Sequence, residues 1–176
     1  MSETALDPEA VEAALAVGIR LYEEERQRGQ NLASKTATLA GFSGAILALV
    51  AQFGRELFNL DLGSVGDVLA PILFLVSIVA LALAAALSLY GALRPRERWV
   101  IETAEVKMLA TPAWLKMGKP AIQGALLTSL GEAFEHDRAI NDLRARYTRY
   151  ASAALLAGIV SAAGLAVVLG VRELGL

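Results

Sequence analysis

Positively charged side chains flank the apolar parts of the sequence, and they are the first candidates for binding chemistry. Two asparagines, Asn31 and Asn141, lie in the same stretches. Cations at a bilayer surface attract anionic lipid headgroups, and cations beside amide donors also suit a phosphate-bearing ligand. Both interpretations stay open from the sequence. The cations in question are Lys35, Arg94, Arg96, Arg98, Arg144, Arg146 and Arg149.

A second cluster combines acids with the single histidine of the chain: Glu132, Glu135, His136 and Asp137. Carboxylate metal sites on helices use Glu-x-x-His, whereas position 133 is alanine. The chain has no cysteine for thiolate sites, and it contains no phosphate-cradling glycine loop or serine elbow. We therefore expect a solvated helix face, no metal, no cofactor and no enzymatic activity.

The composition indicates which elements must position these residues. The sequence is 56% hydrophobic and 19% charged, which is too apolar for a soluble domain of 176 residues. No charged residue occurs within residues 36–54, 68–93 or 150–171. Each of these windows is long enough to cross a bilayer as a helix, with Pro71 in the first turn of the second. The absence of intramembrane charge disfavours ion-coupled transport and voltage sensing.

The distribution of Lys and Arg predicts the orientation of the three spans. Four precede the first span, one lies between the first two, ten lie between the second and third, and one follows the third. Because positive flanks stay cytoplasmic, residues 1–35 and 94–149 should be inside. Residues 55–67 should form a short outer loop and 172–176 an outer tail. The net charge of −2 gives no reason to expect binding of a nucleic acid polymer.

The inner segments have helical patterns. Asp7-Pro8-Glu9 is typical of a helix start, and one helix should run from there into the first span, with an apolar stripe at Val11, Leu15, Ile19 and Tyr22. A short helix is expected over 97–110, then a turn at Pro112, Gly118 and Pro120, then a long helix from Ala121 into the third span. Trp99 and Trp114 fit either the membrane interface or a small helical core. The predicted fold is therefore an all-α membrane protein with three transmembrane helices and a cytoplasmic helical bundle. The stripe of the last helix comprises Ile122, Leu126, Leu130 and Phe134.

Small residues recur at four-residue spacing within the spans. Such ladders let helix backbones approach closely where lipid supplies no hydrophobic driving force. They predict tight helix packing, and homo-oligomerisation follows as a hypothesis. The candidate packing residues are Ala40, Gly44, Ala154, Gly158, Ala162, Ala166 and Gly170.

Two stretches resemble a known group of proteins. Residues 23–47, EEERQRGQNLASKTATLAGFSGAIL, and residues 132–158, which include DRAINDLRARY, are similar to the small transmembrane effectors of bacterial Pycsar defence and the related SLATT proteins. In those families a polar helix leads into a glycine-containing span, and a polar helix with asparagine leads into the last span. This chain differs in having Ser34 for an acid, Thr36 for alanine and Arg144 for lysine.

The resemblance implies a dormant protein of the bacterial inner membrane, acting in antiviral defence. It would sense a cyclic nucleotide made during phage infection and then assemble or rearrange to impair the membrane. By the same resemblance, Lys35, Asn141 and Arg144 are candidates for ligand-binding or interhelix contacts. The alternative from a different class is a non-enzymatic membrane scaffold that homo-oligomerises and docks a cytoplasmic partner protein.

Overall fold

The structure, a computed structural model, describes residues 7–57, 65–93 and 118–173. Each of these segments forms one helix. Helix α1 spans Pro8–Leu57, α2 spans Val65–Leu93 and α3 spans Lys119–Glu173. The described ranges contain no strand, so the predicted all-α class is confirmed for them. The helix expected over 97–110, Pro112 and both tryptophans lie outside the described residues.

Helix α1 begins at Pro8, as the sequence Asp7-Pro8-Glu9 predicts. The side chain of Asp7 accepts a hydrogen bond from the backbone N–H of Glu9 at 3.0 Å, and its carbonyl accepts from Val11 at 3.1 Å. Pro8, the first helical residue, has no N–H to satisfy. The helix then continues for 50 residues, because no proline interrupts the sequence up to Leu57.

Helix α3 begins two residues earlier than expected. Gly118 has φ of +84°, a backbone conformation that favours glycine, and its carbonyl accepts the N–H of Ile122 at 3.4 Å. Pro120 follows Lys119 within the first turn, where backbone N–H groups lack helical partners. The expected turn at Gly118 is therefore present, but Pro120 belongs to the helix.

Pro71 lies one turn further into a helix than expected, whereas the bounds of the outer loop stay a prediction. Helix α1 continues to Leu57 and α2 begins at Val65, so helical residues occupy both ends of the expected loop. The expected loop began at Arg55, the first charged residue after the first window, but arginine and glutamate are good helix formers and the helix continues through Arg55 and Glu56. Pro71 consequently lies in the second turn of α2, where its missing N–H removes a helical hydrogen bond.

The chain divides into two compact units. Unit 1 comprises residues 1–31 and 95–142, and unit 2 comprises 32–94 and 143–176. Helices α1 and α3 therefore each contribute residues to both units. The three helices are long and apolar enough to cross a membrane.

Within unit 1, α1 contacts α3 through positions spaced by four and three residues. Val11 is buried, and at Gly18 an added Cβ would lie 3.0 Å from the Leu130 side chain and 3.1 Å from that of Leu127. Ile19, expected in this stripe, is 45% exposed. The buried positions of α1 alternate steps of four and three residues, as in a heptad, whereas the expected stripe took two successive four-residue steps to reach Ile19. Gly18 therefore occupies the place predicted for Ile19.

Within unit 2, the buried positions recur every seven residues on all three helices. This spacing is that of left-handed coiled-coil packing. Most of the residues involved are small or carry a hydroxyl, so the backbones can lie close together. They are Thr36, Ser43 and Val50 on α1, Ala70, Ser77 and Ala84 on α2, and Ala151, Gly158 and Leu165 on α3.

The closest approach in unit 2 is between Leu81 and Gly158. Leu81 is fully buried, and a Cβ at position 158 would lie 2.7 Å from its Cγ and 3.3 Å from its backbone nitrogen. The hydroxyl of Ser77 donates to the carbonyl of Gly158 at 3.0 Å. Glycine is therefore required at position 158 for α2 and α3 to make this contact.

The predicted effect of Gly158→Ala is a loss of stability of about 1–3 kcal/mol, because the added methyl overpacks against Leu81. Thermal unfolding in detergent, followed by circular dichroism, measures it. Gly170→Ala is the matched control, since nothing lies within 4 Å of its Cβ position. Equal unfolding temperatures for the two variants would contradict the contact.

Candidate functional site: a buried polar clasp in unit 1

The best-formed polar site among the described residues joins α1 to α3 inside unit 1. Asn141 is only 2% exposed and Glu25 only 8%. The Asn141 amide nitrogen donates to the Glu25 carboxylate at 2.8 Å and to the Glu25 backbone carbonyl at 3.0 Å. Both amide protons of Asn141 are thus used by one residue. A buried polar group needs such partners, because leaving it unsatisfied costs about 1–3 kcal/mol.

Arg28 extends this network to a second carboxylate. Its guanidinium donates to Glu25 at 3.2 Å and to Asp142 at 2.8 Å. The hydrogen bond to Asp142 holds the pKa of Arg28 above its ordinary value. We call Glu25, Arg28, Asn141 and Asp142 the clasp. It holds two carboxylates against one guanidinium.

A separate ion pair links α1 and α3 near the N-termini of the two helices. Lys119 donates to Glu12 at 2.7 Å, and this hydrogen bond lowers the pKa of Glu12 below its ordinary value. Both side chains are well exposed, so the pair adds little to stability compared with the clasp. Its contribution is present at neutral pH and is lost as the pH falls through the lowered pKa of Glu12.

The three predicted ligand-binding residues have different surroundings. Asn141 belongs to the clasp, where Glu25 occupies its donors. Lys35 is exposed in unit 2. Arg144, also in unit 2, is buried at 4% exposure. Asn141 therefore makes an interhelix contact with Glu25.

The acid and histidine cluster lies on α3 within unit 1. Glu132 and Glu135 are exposed, while His136 and Asp137 are half-buried. Among the described residues, no group of three His, Cys, Asp or Glu side chains could hold a metal ion. The cluster therefore offers no described metal site.

The predicted packing residues differ in what they contact. Gly158 packs against Leu81. Ala40, Ala154 and Ala162 are half-buried and Ala166 is exposed, whereas Gly44 and Gly170 have nothing within 4 Å of their Cβ positions. Of the third ladder, Gly158 makes a close contact with α2. A role for the open rungs between copies of the chain stays a prediction.

Sequence reasoning missed three members of the clasp: Glu25, Arg28 and Asp142. Glu25 stands seven residues after Gly18 and fourteen after Val11, so an alternating spacing of four and three residues would have placed an acid on the buried face. In unit 2 it also missed the pairing of Tyr90 with Tyr147, whose ring centroids are 5.0 Å apart in an edge-to-face arrangement.

Comparison with protein families, curated proteins and solved structures finds no match to this chain. The structure itself defines the class: an all-helical protein with three helices that could span a membrane. Within that class, its distinguishing site is the clasp between α1 and α3.

Proposed function

We propose that this chain is a dormant effector of the bacterial inner membrane that impairs membrane integrity during antiviral defence. In this proposal the three spans cross the membrane with the N-terminus inside and the C-terminus outside. Unit 1 lies in the cytoplasm. Triggering rearranges or assembles the spans.

The observation that carries the proposal is the way unit 2 is packed. Its fully buried side chains include the hydroxyl residues Thr36, Ser43, Ser77 and Ser88, and no charged residue occurs within the three apolar windows. In lipid, small and hydroxyl residues give close but individually weak helix contacts. Such a bundle can exchange one packing for another at modest cost in free energy. Transport by fixed intramembrane charges has no support in these windows.

Homo-oligomerisation is the second element of the proposal. On α1, Gly41 and Gly44 have nothing within 4 Å of their Cβ positions, and Ala45 and Ala48 on the same helix are exposed. A second copy of the chain offers the same small residues, which allows a close and symmetric helix contact. The bilayer and further copies of the chain are thus the proposed partners.

Sensing of a cyclic nucleotide is the third element and is supported by the resemblance of residues 23–47 and 132–158. Lys35 and Arg144 supply the cations that a phosphate needs. For Asn141 we propose an interhelix role instead of a ligand contact, because its amide donates to Glu25.

The second candidate, a membrane scaffold that docks a cytoplasmic partner, is favoured by one observation in unit 1. Val17 is 58% exposed and Leu21 46% exposed, one turn apart on the same helix. Exposed apolar side chains at this spacing are typical of a helix that binds another helix. A scaffold would leave the membrane potential and permeability unchanged.

Dye release separates the two functions. Purified protein in liposomes that contain a trapped fluorescent dye should be silent alone and should release dye when one of a panel of 3′,5′-cyclic nucleotides is added. Lys35→Ala and Arg144→Ala should abolish the response, whereas Arg138→Ala, an exposed cation on α3 outside the set of cations that flank the apolar windows, should keep it. Absence of release with every nucleotide in the panel, and no depolarisation of phage-infected cells, would reject the effector.

Light scattering of the purified protein in detergent tests the oligomer. We expect a mass above that of the monomer, and Gly44→Leu should shift the protein towards monomer because the bulky side chain blocks close approach. Val76→Leu, which adds bulk at an exposed position of α2, should have no effect. A monomer at all concentrations of the unsubstituted chain would remove oligomerisation from the proposal.

A further inference from the structure

We propose that the clasp is an autoinhibitory lock, which holds α1 against α3 in unit 1 and thereby keeps the chain in its resting state. The inference rests on the proposed effector function, and it concerns how that function is restrained. It assigns roles to Glu25, Arg28, Asn141 and Asp142.

The contact between Asn141 and Glu25 fits only one alignment of α1 with α3. Both donors of Asn141 end on residue 25, one on its carboxylate and one on its backbone carbonyl. A shift of α1 against α3 by even one residue would break both hydrogen bonds. Buried polar networks of this kind fix one register while contributing little net stability compared with apolar packing.

The clasp also fixes how α1 and α3 align in unit 1. The apolar side chains that face Gly18 across the seam, Leu127 and Leu130, are half-buried, whereas Asn141 is 2% exposed and Glu25 8% exposed. In any other alignment of the two helices these buried polar groups would lack partners, which costs about 1–3 kcal/mol for each group. The clasp therefore selects the closed alignment of unit 1.

The charges of the clasp do not cancel. Glu25 and Asp142 bring two negative charges to one guanidinium, that of Arg28. When the helices separate, all four side chains can be hydrated by water, so opening requires no new protein partner. A contact that is specific when closed and inexpensive to open is suited to a switch.

The reporter for the lock is a pair of cysteines in a chain that has none. Gly18→Cys and Leu130→Cys lie across the seam, because the Cβ position of residue 18 is 3.0 Å from the Leu130 side chain. The full chain in liposomes should form an intramolecular disulfide readily. The rate of its formation measures how closed unit 1 is.

Asn141→Asp is the decisive variant, since it places a carboxylate against that of Glu25, where the atoms are now 2.8 Å apart. We expect the disulfide to form at least about tenfold more slowly, because both hydrogen bonds that residue 141 donates to Glu25 are lost. Asn31→Asp, the same substitution at an exposed asparagine of unit 1, should change the rate less than about twofold. Adding Glu25→Gln to Asn141→Asp exchanges the amide and the carboxylate, which restores the side-chain hydrogen bond but not the one to the backbone carbonyl, so it should restore part of the rate.

The outcomes separate the lock from the effector function. Slow disulfide formation with rescue supports the lock. If dye release from the liposomes also rises without a trigger, the effector is supported as well, whereas slow formation without release rejects only the effector. An unchanged rate in Asn141→Asp overturns the lock. Loss of helix by circular dichroism in both Asn141→Asp and the rescued variant also overturns it, because the contact would then be purely structural.

Discussion

The buried carboxylate of Glu25 is the strongest constraint on unit 1. A carboxylate in a helix seam must be hydrogen-bonded there, because its transfer from water is otherwise costly. Asn141 and Arg28 meet that requirement, and Asp142 in turn binds Arg28. These contacts align α1 with α3 in this unit, beside the apolar side chains of Leu127 and Leu130. Glycine at position 18 fits the same constraint, since it lets the helices approach closely beside Leu130.

Unit 2 is packed differently. Its seam is made of small residues and hydroxyls, with Leu81 packed on Gly158. The large apolar side chains of the same helices, such as Phe42, Leu75 and Leu156, are exposed. In the proposed membrane location these side chains would face acyl chains, and close packing of small residues would hold the helices together.

The sequence predicts the helices better than it predicts the contacts between them. Asp7-Pro8-Glu9 and the uncharged windows are local signals, so the start of α1 and the three apolar helices could be predicted. The register of a seam depends on the partner helix, and four-residue steps placed Ile19 where Gly18 lies. Pro71 was assigned to the first turn because the uncharged window begins after Asp67, whereas α2 begins at Val65. Asn141 was singled out by resemblance, but its partner Glu25 is 116 residues away in sequence, and no local pattern connects the two.

The proposed function requires that the helices of unit 2 lie in the membrane and that unit 1 lies in the cytoplasm. Val17 in unit 1 and Val79 in unit 2 are almost equally exposed in the chain itself, at 58% and 57%. Because the chain has no cysteine, replacing either valine by cysteine gives a protein with a single cysteine. A membrane-impermeant maleimide should label Val17→Cys in inverted inner-membrane vesicles and not in intact cells, and it should label Val79→Cys in neither. Equal labelling of the two cysteines, or labelling of Val17→Cys from outside, would contradict the account.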